Sequence, residues 1–248
     1  MHSTSTINQS THIVDLDGEV VIILRQANSL FSQPDEARGI LSNVLRKNLD
    51  SQRYQSKNLP RASEEQTAEY PIEPELICEP LGEICFRIKV SAKHLIFASS
   101  VFKNMLTGGW EESIDYLQKG SVEITAESWD INMFTILLRI IHCKSSRIRR
   151  QLDLQSLAKI AVLADYCDCK EAIELAAVIW IKALKGSVSE TYSRNLVLWL
   201  WVSWYSRLPS QFIEATSTAM SWCDNAISNL GLPIPESVIS KDQEPFYL

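Results

Sequence analysis

The chain has 248 residues, 46% of them hydrophobic and 22% charged, with a formal net charge of -6. That is ordinary globular composition, enough for one good-sized domain or for one domain plus an appendage. Acidic residues outnumber basic ones, 30 to 24, which argues against a surface built to hold phosphate backbones, so no direct nucleic-acid partner is expected.

The opening residues, MHSTSTINQSTH, are polar and lack a basic start followed by an apolar block. They read as a flexible lead over 1–16 rather than a secretory signal. Val20–Leu24 (VVIIL) reads as a buried strand with an Asp17-Gly18 turn in front of it. From about Gln26 to Gly82 the chain is rich in Ser, Gln, Asn, Glu and Pro. It predicts a long, largely disordered insertion, with one short amphipathic helix from Ile40, Leu41, Val44, Leu45 and Leu49. Ile84–Val90 (ICFRIKV) is a second strand-like run and Ser121–Thr125 (SVEIT) a third.

Between these two runs lies the most informative stretch, VSAKHLIFASSVFKNML, followed by TGGWEESIDYLQKG. Its anchors Ser91, Leu95, Ser99, Phe102 and Met105 are spaced by four, four, three and three, which puts them near one helix face. The unit reads as strand, helix pair, polar loop, strand.

Three helices follow in the pattern. Ser128 is placed to cap one running to about His142, with Phe134, Leu137, Leu138 and Ile141 inward. Asp153 is placed to cap the next, with a stripe of Leu157, Ile160, Ala161 and Ala164. The third starts at Lys170 or Glu171, carries Ile173, Ala177, Trp180, Ile181 and Leu184 inward, and ends at Gly186. Ser193–Arg207 is apolar nearly all round and is stopped by Pro209, so it must be covered on several sides. A last helix spans about Ser210–Ile227, before a proline-marked tail.

The fingerprint unit resembles the core of the BTB/POZ domain, and SAKHLIFASSVFKNML is similar to a divergent fungal branch of that family. Leu95, Ser99 and Phe102 keep the family's spacing. Ser91 stands where the family has a His, and Glu19 where it tends to have an Asp. The resemblance covers about Asp17 to Leu184, the insertion excepted. It implies an α+β fold, a small sheet clasped by helices over 17–184; the segments read above add a helical extension over 187–230 and a tail over 231–248. It also implies a protein–protein interaction module that homodimerises through the first strand with its N-terminal lead and the helix from Ser91 to Ser99. Family members that bind cullin ubiquitin-ligase scaffolds often carry a hydrophobic residue, any residue, then Glu after the helix pair. Trp110-Glu111-Glu112 occupies that place, which implies a substrate-adaptor role. A loop tryptophan packing on its own domain is the plainer reading of the same three residues.

Other constellations point to structure. Cys167-Asp168-Cys169 has one residue between its thiols and no second pair, so it is poor zinc geometry and reads as buried thiols at a helix junction. The six cysteines show no disulfide framework, which suits a reduced compartment, cytoplasmic or nuclear. His2 and His12 lie in the lead, His94 on a surface turn, and His142 at a helix end where a positive imidazole suits the dipole. Gly108-Gly109 is a turn rather than a phosphate loop, and KSSRIRR over Lys144–Arg150 a solvated connection. Trp199, Trp201 and Trp204 either seal the last helices onto the body or leave an exposed partner patch. No catalytic residue, metal, cofactor or membrane span is expected. Two other classes stay open: a transcription- or chromatin-linked regulator recruiting partners through this domain, and a small-molecule enzyme needing a pocket of convergent polar groups.

Overall fold

Runs such as VVIIL, FRIKV and VEIT alternate side chains between two faces, and pairing them buries one apolar face at once. In the structure, a computed structural model that describes residues 10–31, 85–184, 188–222 and 228–239, they join a short lead strand in one sheet. Its strands are β1 (Ser10–Ile13), β2 (Val20–Arg25), β3 (Phe86–Val90) and β4 (Val122–Glu127), in spatial order β1-β3-β2-β4. The central pair β2 and β3 is antiparallel; β1 runs parallel to β3, and β4 parallel to β2. Register aligns the core face in two rows. Ile88 lies opposite Ile22 and Ile22 opposite Ile124, while Val90, Val20 and Val122 form the second row. All six are buried, and each aliphatic side chain so buried contributes about 1.5–3 kcal/mol.

The lead strand departs from the flexible start expected over 1–16. STHI has no alternation that would mark it as a strand; its order comes from the exposed edge of β3, to which it hydrogen-bonds in register from Ser10–Phe86 to Ile13–Lys89. The chain then turns back through Gly18. A Cβ there would lie 2.4 Å from the Val90 carbonyl oxygen, so only glycine permits this approach of backbone to backbone.

The first residues assigned to the insertion, 26–31, are also folded onto the body. The Asn28 N–H donates to the Trp129 carbonyl at 3.0 Å, and its side-chain oxygen accepts from the Ile131 N–H at 3.2 Å. Phe31 packs on the core under the Lys159 ammonium. The remainder of the expected insertion, including the proposed Ile40–Leu49 helix, lies outside the described residues.

Nine α-helices are found among the described residues. They are α1 (Ala92–Ala98), α2 (Ser100–Thr107), α3 (Glu111–Lys119), α4 (Ile131–Ile141), α5 (Leu154–Tyr166), α6 (Lys170–Ala183), α7 (Arg194–Tyr205), α8 (Pro209–Trp222) and α9 (Glu236–Ile239). The protein is thus mixed α+β, with a small four-stranded sheet. The stretch read as a polar loop after α2 is the helix α3. Its polar surface hides inward Ser113 and Tyr116, Lys119 pairs with Asp115 one turn back at 2.8 Å, and left-handed Gly120 (φ 70°) ends it.

The cap of α4 is Asp130, not Ser128. Ser128 is turned into the left-handed region (φ 67°), which leaves the Asp130 carboxylate to accept from the Asn132 and Met133 N–H groups. Phe134, Leu137, Leu138 and Ile141 are buried as the period predicts. Asp153 caps α5 by accepting from the Ser156 N–H, and the α5 stripe is buried. Gly186 lies outside the described residues; α6 ends at Ala183. Pro209 opens α8 at its first position, where its missing N–H costs nothing, rather than ending α7.

Helix α7 is buried from Leu196 to Ser203, and the Trp201 indole N–H donates to the Ala158 carbonyl of α5 at 3.3 Å. Trp199 and Trp201 are core, while Trp204 is partly exposed. Within the expected tail, Leu232 and Ile234 are buried, so the chain stays packed to α9. No helix among the described residues is long and apolar enough to cross a membrane.

Candidate functional site

The fingerprint begins where β3 gives way to α1. An α-helix leaves its first N–H groups without partners inside the helix, and something must accept from them. Ser91 is the N-cap residue but its hydroxyl makes no capping bond. Two distant residues act instead. The Ala92 N–H donates to the Glu19 carboxylate at 3.1 Å, and the Ser91 N–H donates to His142 Nε2 at 2.9 Å. Glu19 comes from the approach to β2 and His142 from the end of α4, so this corner ties three parts of the chain together.

The anchors do not lie on one continuous helix. The backbone is extended at Ser99 (φ -142°, ψ 123°), which closes α1 and opens α2. The Ser99 hydroxyl oxygen accepts from the Phe102 N–H at 3.1 Å, and the hydroxyl donates to the Cys167 carbonyl. The neighbouring Ser100 hydroxyl donates to the Asp168 carboxylate. The α1–α2 corner is thereby fastened to the α5–α6 corner, where Asp168 holds the left-handed turn (φ 48°) between the two cysteines.

Ser91, Leu95, Ser99 and Phe102 are all buried within the chain, and Met105 is half-buried. These five residues shape the unit from inside, so in this arrangement none of the buried four can itself touch a partner. The outward face of α1 is different. Phe97 is 94% exposed, one turn on from exposed Lys93. It was not singled out from the sequence, although it falls about 200° around the helix from Leu95, a position that a 3.6-residue period turns to solvent.

Trp110 is the N-cap of α3 and is 44% exposed. Its carbonyl accepts from the Ile114 N–H at 3.0 Å and the Ser113 hydroxyl at 2.8 Å, so its backbone is well held. Ile114 and Leu117, four and seven residues on, are exposed with it and extend the apolar face along α3. Glu111 and Glu112 form the first residues of the helix, and Glu112 is half-buried. The tryptophan therefore sits at the N-cap, in the short connection from α2, with part of its ring covered by its own domain and part left in water.

The histidines also differ from expectation. His94 lies within α1, not on a turn. His142 is buried: its Nδ1 lies 2.7 Å from the Leu138 carbonyl and its Nε2 accepts from Ser91, which requires the neutral ring with Nδ1 protonated. Burial pushes its pKa below the ordinary value, assisted by His94 and Lys144 and opposed by the Leu138 carbonyl and Asp15. It is not a charged complement to the helix dipole.

Asp15, His94 and His142 bring ligand atoms within 4.8 Å of one another. The two imidazoles stack at 4.7 Å with 24° between planes, so their in-plane lone pairs do not converge on one ion. Both His142 nitrogens are already engaged, and taking Nε2 for a metal would orphan the buried Ser91 N–H. Cys167 and Cys169 are buried thiols, as expected at a helix junction. The hydrogen bond to Cys169, with burial, pushes the Cys167 thiol well above its ordinary pKa, which makes it a poor nucleophile. No protein-family model matches this chain, and no curated protein matches it.

Proposed function

We propose that this chain is a protein–protein interaction module of the BTB/POZ kind that self-associates through the outer face of α1 and the β1 edge. The observation that carries the reading is the unit β3–α1–α2–α3–β4, with Leu95, Ser99 and Phe102 buried and Phe97 left outside. An aromatic residue almost wholly in water, on a helix whose other face is core, is the kind of anchor interfaces bury. The residues with chemistry in them support a binding role over a catalytic one: His142 is spent on two backbone groups and Cys167 is held as a thiol.

Light scattering on the full chain tests this. The expected mass is that of a dimer, and Phe97→Asp is expected to give a folded monomer. A wild-type monomer at every concentration tried overturns the proposal.

The adaptor refinement rests on Trp110, Ile114 and Leu117 as an apolar face, with Glu111 and Glu112 following Trp110 in sequence. Trp110→Ala is expected to abolish binding to a purified cullin N-terminal region while the thermal midpoint stays within a few degrees. Unchanged affinity sinks the refinement and leaves the self-association reading intact.

A further inference from the structure

A buried neutral histidine that accepts a hydrogen bond from a backbone N–H holds that bond only while its acceptor nitrogen carries no proton. His142 does this at a junction. Its Nδ1–H donates to the Leu138 carbonyl within α4 at 2.7 Å, and its Nε2 accepts from the Ser91 N–H at 2.9 Å. Ser91 is the hinge between β3 and α1, and its own hydroxyl makes no cap. We infer that His142 is an acid-operated latch: the neutral ring ties the start of α1 to the end of α4, and protonation releases that tie.

The mechanism is a conflict of donors. A proton on Nε2 would point N–H at N–H inside a buried corner, where an unpaired donor is costly. The ring or the Ser91 backbone must then move. The surroundings decide how readily this happens. From α1, His94 stacks on the ring and opposes a second positive charge; beyond α4, Lys144 does the same. From the β1–β2 connection Asp15 favours the charged ring, and Glu19 stands one amide away on Ala92. The Glu19 bond to Ala92 does not depend on the ring, so α1 stays attached by one tie after the other opens. This makes the device a local release, not a route to unfolding, and it does not rest on the self-association reading.

Two-dimensional NMR of the isotope-labelled full chain tests it, following the histidine rings and the Ser91 and Ala92 amides from about pH 8 to about pH 5. The expected result at neutral pH is a His142 ring in the Nδ1–H form. On acidification, Ser91 exchange (corrected for its intrinsic pH dependence) should rise roughly tenfold or more, with the midpoint of the His142 titration. His142→Gln carries an acceptor oxygen that takes no proton, and should erase the Ser91 step. His94→Ala removes the stacked like charge and should move the midpoint to higher pH. Ser91 exchange that does not follow the His142 ring in the wild-type chain overturns the inference, as does a step that survives His142→Gln. If that variant fails to fold, coincidence of the two wild-type titrations still decides.

Discussion

Asp130 shows how much one side chain can hold. One carboxylate oxygen accepts from the Asn132 and Met133 N–H groups at the head of α4, and the other accepts from the Lys159 ammonium of α5 at 2.6 Å. Burial alone would raise its pKa, but Lys159 and the two amides outweigh it and hold the carboxyl below its ordinary value. Both side chains of the pair are mostly covered, so removing one leaves the other charge badly solvated. Asp130→Ala is expected to destabilise the fold by about 1–3 kcal/mol at neutral pH, read as a lower denaturant midpoint. The pH dependence follows from the direction of the shift. The folded state binds this proton less tightly than the unfolded state, so the stabilisation is present above the ordinary carboxyl range and is lost as pH falls through the lowered folded value. The gap between wild type and Asp130→Ala should therefore narrow on acidification; a gap constant with pH would contradict the assignment.

At the scale of elements, α3 is the helix that its own polarity concealed. EESIDYLQK has only Ile114, Tyr116 and Leu117 as large apolar residues, and two of them face water. The start and stop signals were nevertheless present: carboxylates at the head, Lys119 in the last turn and Gly120 after it. Gly120 tests how much the stop matters. A Cβ there meets nothing within 4 Å, so the cost of Gly120→Ala is the backbone conformation (φ 70°) alone. The expected loss is about 1 kcal/mol in urea denaturation. The fingerprint helix fails as one element for a related reason. Anchors three or four residues apart fit a continuous helical face, but serine is also a strong cap, and at Ser99 the capping role prevails because Cys167 supplies a partner for the hydroxyl.

For the whole molecule, α7 joins the C-terminal helices to the body. Trp201 has no exposed surface, stacks near Trp204 and Tyr205, and reaches the backbone of α5. Trp201→Ala is expected to cost about 3–5 kcal/mol, the range for emptying an aromatic site in a packed core. If α7 and α8 were an independent appendage, the sheet and α4 would instead keep their full protection from hydrogen exchange in that variant. The surface left over is uneven. Phe97 on α1, Trp110 with Ile114 and Leu117 at α3, and Leu175 with Val178 and Ile179 on α6 remain apolar and exposed. The first two sets carry the proposed interactions, and nothing in the structure shows what covers the third.

What the sequence by itself determined is local. The strand-like runs Val20–Leu24, Ile84–Val90 and Ser121–Thr125, which overlap the observed β2, β3 and β4, the cap Asp153, and the buried stripes of α4 and α5 are written in contiguous residues whose period and chemistry speak for themselves. Tertiary structure decided everything that needed a partner from far along the chain. STHI became a strand because the edge of β3 was open to it. Asp130 displaced Ser128 as a cap once Ser128 was turned to positive φ. His142 was settled as a neutral acceptor by Ser91, fifty-one positions away. Periodicity cannot report such pairings, because a hydrogen bond across the fold depends on where two backbones arrive, and that is fixed only when the sheet and helices close on one core.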